Sequence, residues 1–456
     1  MLCVSNWGLL QALNTPLSRL PASALGQSEV LDRAIHRAKW RLLPFLLLMY
    51  LFAYLDRANI GYAKQAYQAA TGISNAAFAF GAGAFFVTYA LFEVPSNLIL
   101  HRVGARLWLA RIMVLWGIIS AVMMFANTDT SFWVVRSFLG AAEAGFFPGC
   151  ILYFTYWFPA KARGQVMAIF YFGSPLALML GGPLSGMLLE LQGLMGLHGW
   201  QWMFLVEGLL ASVIGIWAYF YLTDRPADAK WMPPEEREAL TQAVASEEAA
   251  KQSYGTVTFG SVFRNPRLLH FALIYFLIQI SGYGVAFYLP TIVSALMNKN
   301  VGLMVGLVSS IPWAVAIIAC SFWPSLAMKT GYRRSFAFIS LMCITVGLAV
   351  AGHLPPKFAI AALCFVTAGI ISAQPIFWTF PTSYFGGVGA AAGIATINAL
   401  GNLGGFVAPN VKTWLEKTTG EPQSGLYFLA ISAFLAGLLV LALRPYDRLL
   451  SDRRPV

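Results

Sequence analysis

Charge is what this chain of 456 residues has least of: Asp, Glu, Lys and Arg make up 11% of it, and the acids number only 19 against 30 bases. With 58% apolar residues and a mean hydropathy of +0.67, so little charge cannot clothe a water-soluble protein of this length. Cysteine is scarce as well. Cys3, Cys150, Cys320, Cys343 and Cys364 are odd in number and lack the spacing of metal ligands, and the five histidines are equally scattered, so neither a disulfide framework nor a metal site is expected. Gly386-Gly387-Val388-Gly389 is not followed by Gly-Lys-Ser/Thr, which removes a phosphate loop. Nucleophiles stand apart from bases, so an enzyme is not expected and no cofactor is implied. Residues 1–40 lack the basic start, apolar core and small-residue cleavage site of a signal peptide, and read as a flexible cytoplasmic tail.

What the chain does have is long apolar runs. Stretches near twenty residues predict twelve membrane-spanning helices, roughly 42–62, 76–100, 107–126, 131–157, 164–191, 201–222, 269–296, 301–326, 335–353, 358–381, 387–413 and 425–444. The predicted fold is an all-α polytopic membrane protein. Basic residues fall on alternate connections: Arg33, Arg37, Lys39 and Arg41, then Arg102 and Arg106, Lys161 and Arg163, the central loop, and Lys329, Arg333 and Arg334. The opposite side carries Lys64, Lys299, Lys357, Lys412 and Lys417, so both termini are expected in the cytoplasm. The same distribution explains the formal charge of +11 through loops facing anionic lipid, with no basic patch interleaved with aromatics for nucleic acid.

Two similar halves make up the chain. His101-Arg102-Val103-Gly104-Ala105-Arg106 follows the second span and Met328-Lys329-Thr330-Gly331-Tyr332-Arg333 the eighth, and the two glycines stand 227 positions apart in a chain whose half-length is 228. A duplicated six-helix unit accounts for this, because a tight inside turn needs a glycine and flanking cations. The expected organisation is a tail at 1–40, bundles at 41–222 and 269–445, a cytoplasmic central loop at 223–268 and a tail at 446–456. Within that loop, Pro233-Pro234-Glu235-Glu236-Arg237-Glu238 has the proline and acids of a helix start, read as a solvated linker helix rather than a partner-binding module.

Against this apolar background Asp56-Arg57 is conspicuous. The pair lies about fifteen residues into the first run, roughly two thirds of the way across the hydrocarbon at about 1.5 Å per residue. An ionisable group there costs at least about 2.5–3.5 kcal/mol, which makes it a marker of a substrate or ion pathway. Arg136 and Glu143, seven apart, share one face of the fourth helix. Interhelical ion pairs holding the first and fourth helices together are the competing account.

Six plus six helices with a repeated glycine turn resemble the major facilitator superfamily over residues 40–445, whose pseudo-symmetric halves enclose a midplane substrate site. Arg136 to Pro148 is similar to its fourth-helix signature of Arg, Gly and Pro; Gly181 to Gly186 and Trp200 to Gly208 also match. The chain departs from the pattern at His101 and Met328, where the superfamily usually has an Asp that forms a conformational latch. YLDRANIGYAK (Tyr54 to Lys64) with FEVPSNLILHRVGAR (Phe92 to Arg106) resembles the anion:cation symporter family. GFFPGCILYFTYWFP, FYFGSPLALMLGGPLSG and QPIFWTFPT (Gln374 to Thr382) look closest to its bacterial sugar-acid branch of rhamnonate-type transporters.

The resemblance implies proton-coupled symport of a small organic anion across the inner membrane by alternating access, with a monomer as the family's habit. Arg57 and Arg136 are then the carboxylate ligands, since a guanidinium fork matches a carboxylate. Glu143 is the first proton carrier and Asp56 the second, each poised by whether an Arg is engaged with it or with substrate. Tyr54, Tyr89, Gln279, Tyr283, Trp378, Thr379, Asn398 and Asn402 complete the expected site, although ordinary packing between helices accounts for any one of them alone. Glu93 and Glu207 read as nearer helix ends, with gating or interhelical roles. Hydroxyl-rich acids suit the amides; tartrate-like or aromatic acids, such as 4-hydroxyphenylacetate or a phthalate, remain open through the aromatic residues, and sodium remains open as the ion.

Overall fold

The computed structural model describes residues 22–252, 265–384 and 388–443. Sixteen α-helices are present among them, with no strand among the described residues. In chain order they are α1 Ala22–Thr71, α2 Asn75–Val103, α3 Ala105–Val122, α4 Asp129–Glu143, α5 Phe146–Trp157, α6 Ala160–Tyr171, α7 Gly173–Leu189 and α8 Gly199–Tyr221. The linker helix α9, Pro234–Gln252, leads to α10 Pro266–Met297, α11 Leu303–Thr330, α12 Arg333–Ala351, α13 Pro356–Tyr384, α14 Val388–Asn402, α15 Gly404–Thr419 and α16 Gln423–Leu441. Side chains fix several starts: Ser74 accepts from the Ala77 N–H, Thr128 and Ser131 form a reciprocal cap, and Asn265 caps α10 with Pro266 in its first turn.

Joined end to end, these helices make the twelve expected spans. One span is broken and two are kinked. The fourth is split between α4 and α5 at Gly145, whose φ of +87° ends the helix just after Glu143. The fifth is kinked at Phe172 between α6 and α7, where Pro175 has no N–H for Tyr171 and the Ser174 hydroxyl donates to that carbonyl instead. The eleventh is kinked at Leu403 between α14 and α15. Spans five and eleven hold corresponding places in the two halves. Gly104 and Gly331 both have positive φ, +99° and +77°, which glycine reaches without strain, but their ψ angles of 147° and −11° make the two repeated turns different backbones.

Residues 22–40, expected as a flexible tail, instead continue the first helix: α1 runs unbroken from Ala22, with Ala34 and Ala38 buried in the core of the first half. The reason lies in α9. Glu236 pairs with Arg37 at 2.7 Å, while Glu247 pairs with Arg163 at 2.8 Å and accepts the Ala160 N–H, so the linker helix supports this extension of α1 and the start of α6. The expected tail segments 1–21 and 446–456, and residues 253–264 of the expected central loop, lie outside the described residues. At the Gly104 turn, His101 contacts the Tyr156 hydroxyl, and the acid is supplied by Asp224, which accepts the Arg106 N–H at 2.8 Å.

Each half has its own apolar core. Trp116, Phe132, Tyr153 and Trp157 centre the first; Ile278, Leu341, Ile344 and Phe377 centre the second. Leu91, Val213, Phe220, Ile318, Phe365 and Ile431 are exposed on the outer faces, which is the arrangement lipid requires. The halves close against each other along α7 and α11 and along α2 and α15, at the end bearing the 190–198 and 298–302 loops. Glu190 there accepts the Leu303 N–H at 2.9 Å, the Ser294 hydroxyl meets Gln65, and Asn410 reaches the Ala79 carbonyl. Lys64 of the first half and Lys412 of the second both lie over the Tyr288 ring, 4.7 and 3.8 Å from its centre.

Candidate functional site

Between the halves lie two adjoining cavities of about 340 and 490 Å³ that share Tyr54, Arg57, Gln279, Tyr283 and Gln374. The Arg57 side chain is their cation. Its Nε and Nη2 both stand 2.6 Å from Glu143 Oε1, its Nη1 is 3.4 Å from the Tyr283 hydroxyl of the second half, and Tyr89 faces it at 4.8 Å from ring centre to guanidinium carbon. Glu143 Oε2 is buried without a partner. This guanidinium is thus held by one carboxylate oxygen and by aromatic faces, with its remaining edge toward the cavity.

Opposite Arg57 the second half supplies amides. Asn402 Oδ1 accepts from Gln279 Nε2 at 3.3 Å and from the Tyr283 hydroxyl at 3.2 Å, and Gln374 Nε2 donates to Gln279 Oε1 at 3.4 Å. Asn398, one turn from Asn402, donates to Glu93 Oε1 at 2.8 Å, a bond across the two halves. Of the expected residues, Tyr54, Arg57, Tyr89, Gln279, Tyr283, Asn398 and Asn402 line the smaller cavity.

Others stand elsewhere. Arg136 is buried behind the wall, its guanidinium 4.9 Å from the centre of the Phe85 ring, with Nε and Nη2 unpaired; Arg57 touches the same ring at 5.5 Å. Trp378 packs on Tyr275 at 4.8 Å and the Thr379 hydroxyl donates to the Ile376 carbonyl, so neither lines the cavities. Asp56 turns away into the first half, where it accepts from the Ser120 hydroxyl and from Asn59 Nδ2. Asn59 also donates to Glu207 at 3.0 Å, and Glu207 accepts from the Ser185 hydroxyl at 2.8 Å.

Glu93 and Glu207, expected nearer helix ends in gating or interhelical roles, do bond between helices, to Asn398 and to Asn59 and Ser185, and lie deep in the bundle at 3% and 0% exposure. Sequence reasoning also passed over Tyr50, Phe147, Tyr171, Tyr275 and Gln374 in the cavity wall. Tyr50 stands four residues before Tyr54 and seven before Arg57, a helical stripe that the spacing offers. Gln374 lies one turn before Trp378, inside a segment already singled out.

Comparisons with known proteins agree with this architecture. The profile of the Major Facilitator Superfamily matches residues 46–409. The inner membrane transport protein RhmT of Escherichia coli is 44% identical over 91% of this chain and 96% of its own. A protein of Agrobacterium vitis provisionally named a tartrate transporter is 43% identical over 90% and 91%, and a quinolone resistance transporter of Acinetobacter baumannii 37% over 89% and 93%. Among solved structures, the xylose transporter XylE of Escherichia coli in a partially occluded inward-open conformation superposes with a TM-score of 0.72 at 16% identity, over 90% of this chain and 98% of that one. Twelve spans in two halves around a central cavity, together with these matches over most of the chain, make this protein a polytopic membrane transporter of the Major Facilitator Superfamily.

Proposed function

We propose that the protein is a proton-coupled symporter of a small hydroxylated monocarboxylate, an aldonate such as rhamnonate, across a bacterial inner membrane. The observation that carries this reading is Arg57, a buried guanidinium in the cavity wall, facing an array of neutral amides in Asn398, Asn402, Gln279 and Gln374. A fixed cation at one end calls for an anion; amides and tyrosine hydroxyls at the other satisfy substrate hydroxyls that would otherwise lose about 1–3 kcal/mol each on desolvation. The Agrobacterium relative is named for tartrate, a hydroxylated acid with two carboxylates, and supports a hydroxylated anion without fixing the number of carboxylates.

Coupling follows from the partner that Arg57 holds. When a substrate carboxylate takes the guanidinium, Glu143 loses its counter-charge in a dry wall and accepts a proton; the loaded and the empty carrier close and reopen, the half-loaded one does not. The termini then face the cytoplasm and the working unit is a monomer. An aromatic acid is the second reading, favoured by the rings of Tyr50, Phe147, Tyr171 and Tyr275 in the cavity wall. Purified protein in liposomes under an inward proton gradient decides between them. Rhamnonate or galactonate should accumulate saturably; competition by an aromatic acid at low concentration, with both aldonates inert in large excess, refutes the sugar-acid assignment.

A further inference from the structure

Inside the first half, the buried Asp, Glu, Lys and Arg side chains of the described membrane spans are four carboxyls, Asp56, Glu93, Glu143 and Glu207, against two guanidiniums, Arg57 and Arg136. Carboxyls outnumber cations by two, in a region where an unpaired charge is costly. Glu143 has Arg57 and Glu93 has Asn398. Asp56 and Glu207, from α1 and α8, are bridged instead by a single amide nitrogen: Asn59 Nδ2 stands 3.0 Å from an oxygen of each.

The hydrogens of Asn59, Ser120 and Ser185 are spoken for. The two N–H groups of Asn59 go to Asp56 Oδ1 and Glu207 Oε2, the Ser120 hydroxyl to Asp56 Oδ1, and the Ser185 hydroxyl to Glu207 Oε1. Asp56 Oδ2 and Asn59 Oδ1 are buried acceptors left with no donor. One proton on the pair removes one of two like charges placed across a single amide.

We infer that Asp56 and Glu207 share one proton through Asn59, and that Glu207 is a further proton-coupling residue of this carrier. The groups facing Glu207 are Asp56, Asn59 and Tyr62 from α1 and Ser185 from α7; Ser120 of α3 and Arg136 of α4 reach it only through Asp56. Arg136 lies within electrostatic range of both Asp56 and Glu143, so a proton on the Asp56–Glu207 pair frees its charge for Glu143 at the cavity wall. The chemistry balances as the uptake of one proton from water by one carboxylate, returned to water on the other side. Its role in transport rests on the symport reading above; sharing of the proton does not.

Infrared difference spectroscopy of the purified protein between low and high pH tests this through the carboxylic-acid C=O stretch. Glu207→Gln and Asp56→Asn, which keep similar shapes, should each remove the same single band, and the double variant should remove no more than either alone. Two independent bands that disappear additively, or a Glu207→Gln spectrum identical to wild type, overturn the inference. In liposomes Glu207→Gln should then accumulate labelled rhamnonate at least tenfold less than wild type under a proton gradient; accumulation equal to wild type overturns the coupling role. Failure of wild type itself to respond to the gradient refutes symport and leaves the infrared result to judge the shared proton.

Discussion

Gly182 and Gly306 meet backbone to backbone across the seam between the halves: a Cβ on Gly306 would stand 2.1 Å from the Gly182 carbonyl oxygen, and one on Gly182 would stand 2.5 Å from that of Gly306. No flexible side chain is available to yield there. Closure of this end therefore depends on two missing methyl groups. Gly306→Val should keep this end open and cut transport at least tenfold. The check is a single cysteine at Gln65 in a background free of the native five, whose labelling by a membrane-impermeant thiol reagent should rise in the variant.

Arg57 and Arg136 separate into different phenotypes. Arg57 lines both cavities, so Arg57→Lys, which loses the fork held against Glu143, should raise the substrate KM at least tenfold. Arg136 lies behind Phe85, so Arg136→Lys should lower the maximal rate and leave KM within about threefold of wild type. If Arg57→Lys transports with unchanged affinity, direct recognition of a carboxylate by this arginine is wrong.

Glu143→Gln removes the titrating oxygen and keeps a neutral group beside Arg57. Exchange of labelled for unlabelled substrate across the liposome membrane should survive, while uptake driven by a pH gradient disappears. Unimpaired accumulation by this variant takes Glu143 out of the mechanism.

Glu93 and Asn398 are coupled across the halves by a bond to a carboxylate, and removing either alone leaves a buried polar group unpaired. Glu93→Ala and Asn398→Ala should each destabilise the protein by about 1–3 kcal/mol, and the double variant by clearly less than their sum. Melting of the purified protein in detergent measures all three. Strict additivity means that the bond is not formed in solution.

The halves were legible because Gly104 and Gly331 answer the same demand, a tight turn flanked by cations, and that demand leaves its mark in sequence. Arg57 was legible for a similar reason: a charge in an apolar run announces itself. Asn59 and Gln374 were not, since a neutral amide inside a span costs little and looks like any other polar residue there. Trp378 was assigned to the cavity and faces Tyr275 instead. Its helix is apolar nearly all round, so nothing in the pattern of residues fixes how the helix is rotated about its axis. Glu207 read as near a helix end because it stands six residues into the predicted sixth span, and nothing in sequence showed that Asn59 of α1 and Ser185 of α7 pack over that turn.

Lys64 and Lys412 approach the same tyrosine from opposite halves, with Glu416 2.5 Å from Lys412 as the nearby acid. The two cations face each other only while this end is shut, and the part of their repulsion that Glu416 and the ring leave uncompensated acts as a spring that favours its release. Dissolved salt weakens such a spring, so the ionic strength bathing that face biases which way an empty carrier rests. The transporter then carries, in its own door, a sensitivity to the salt around it.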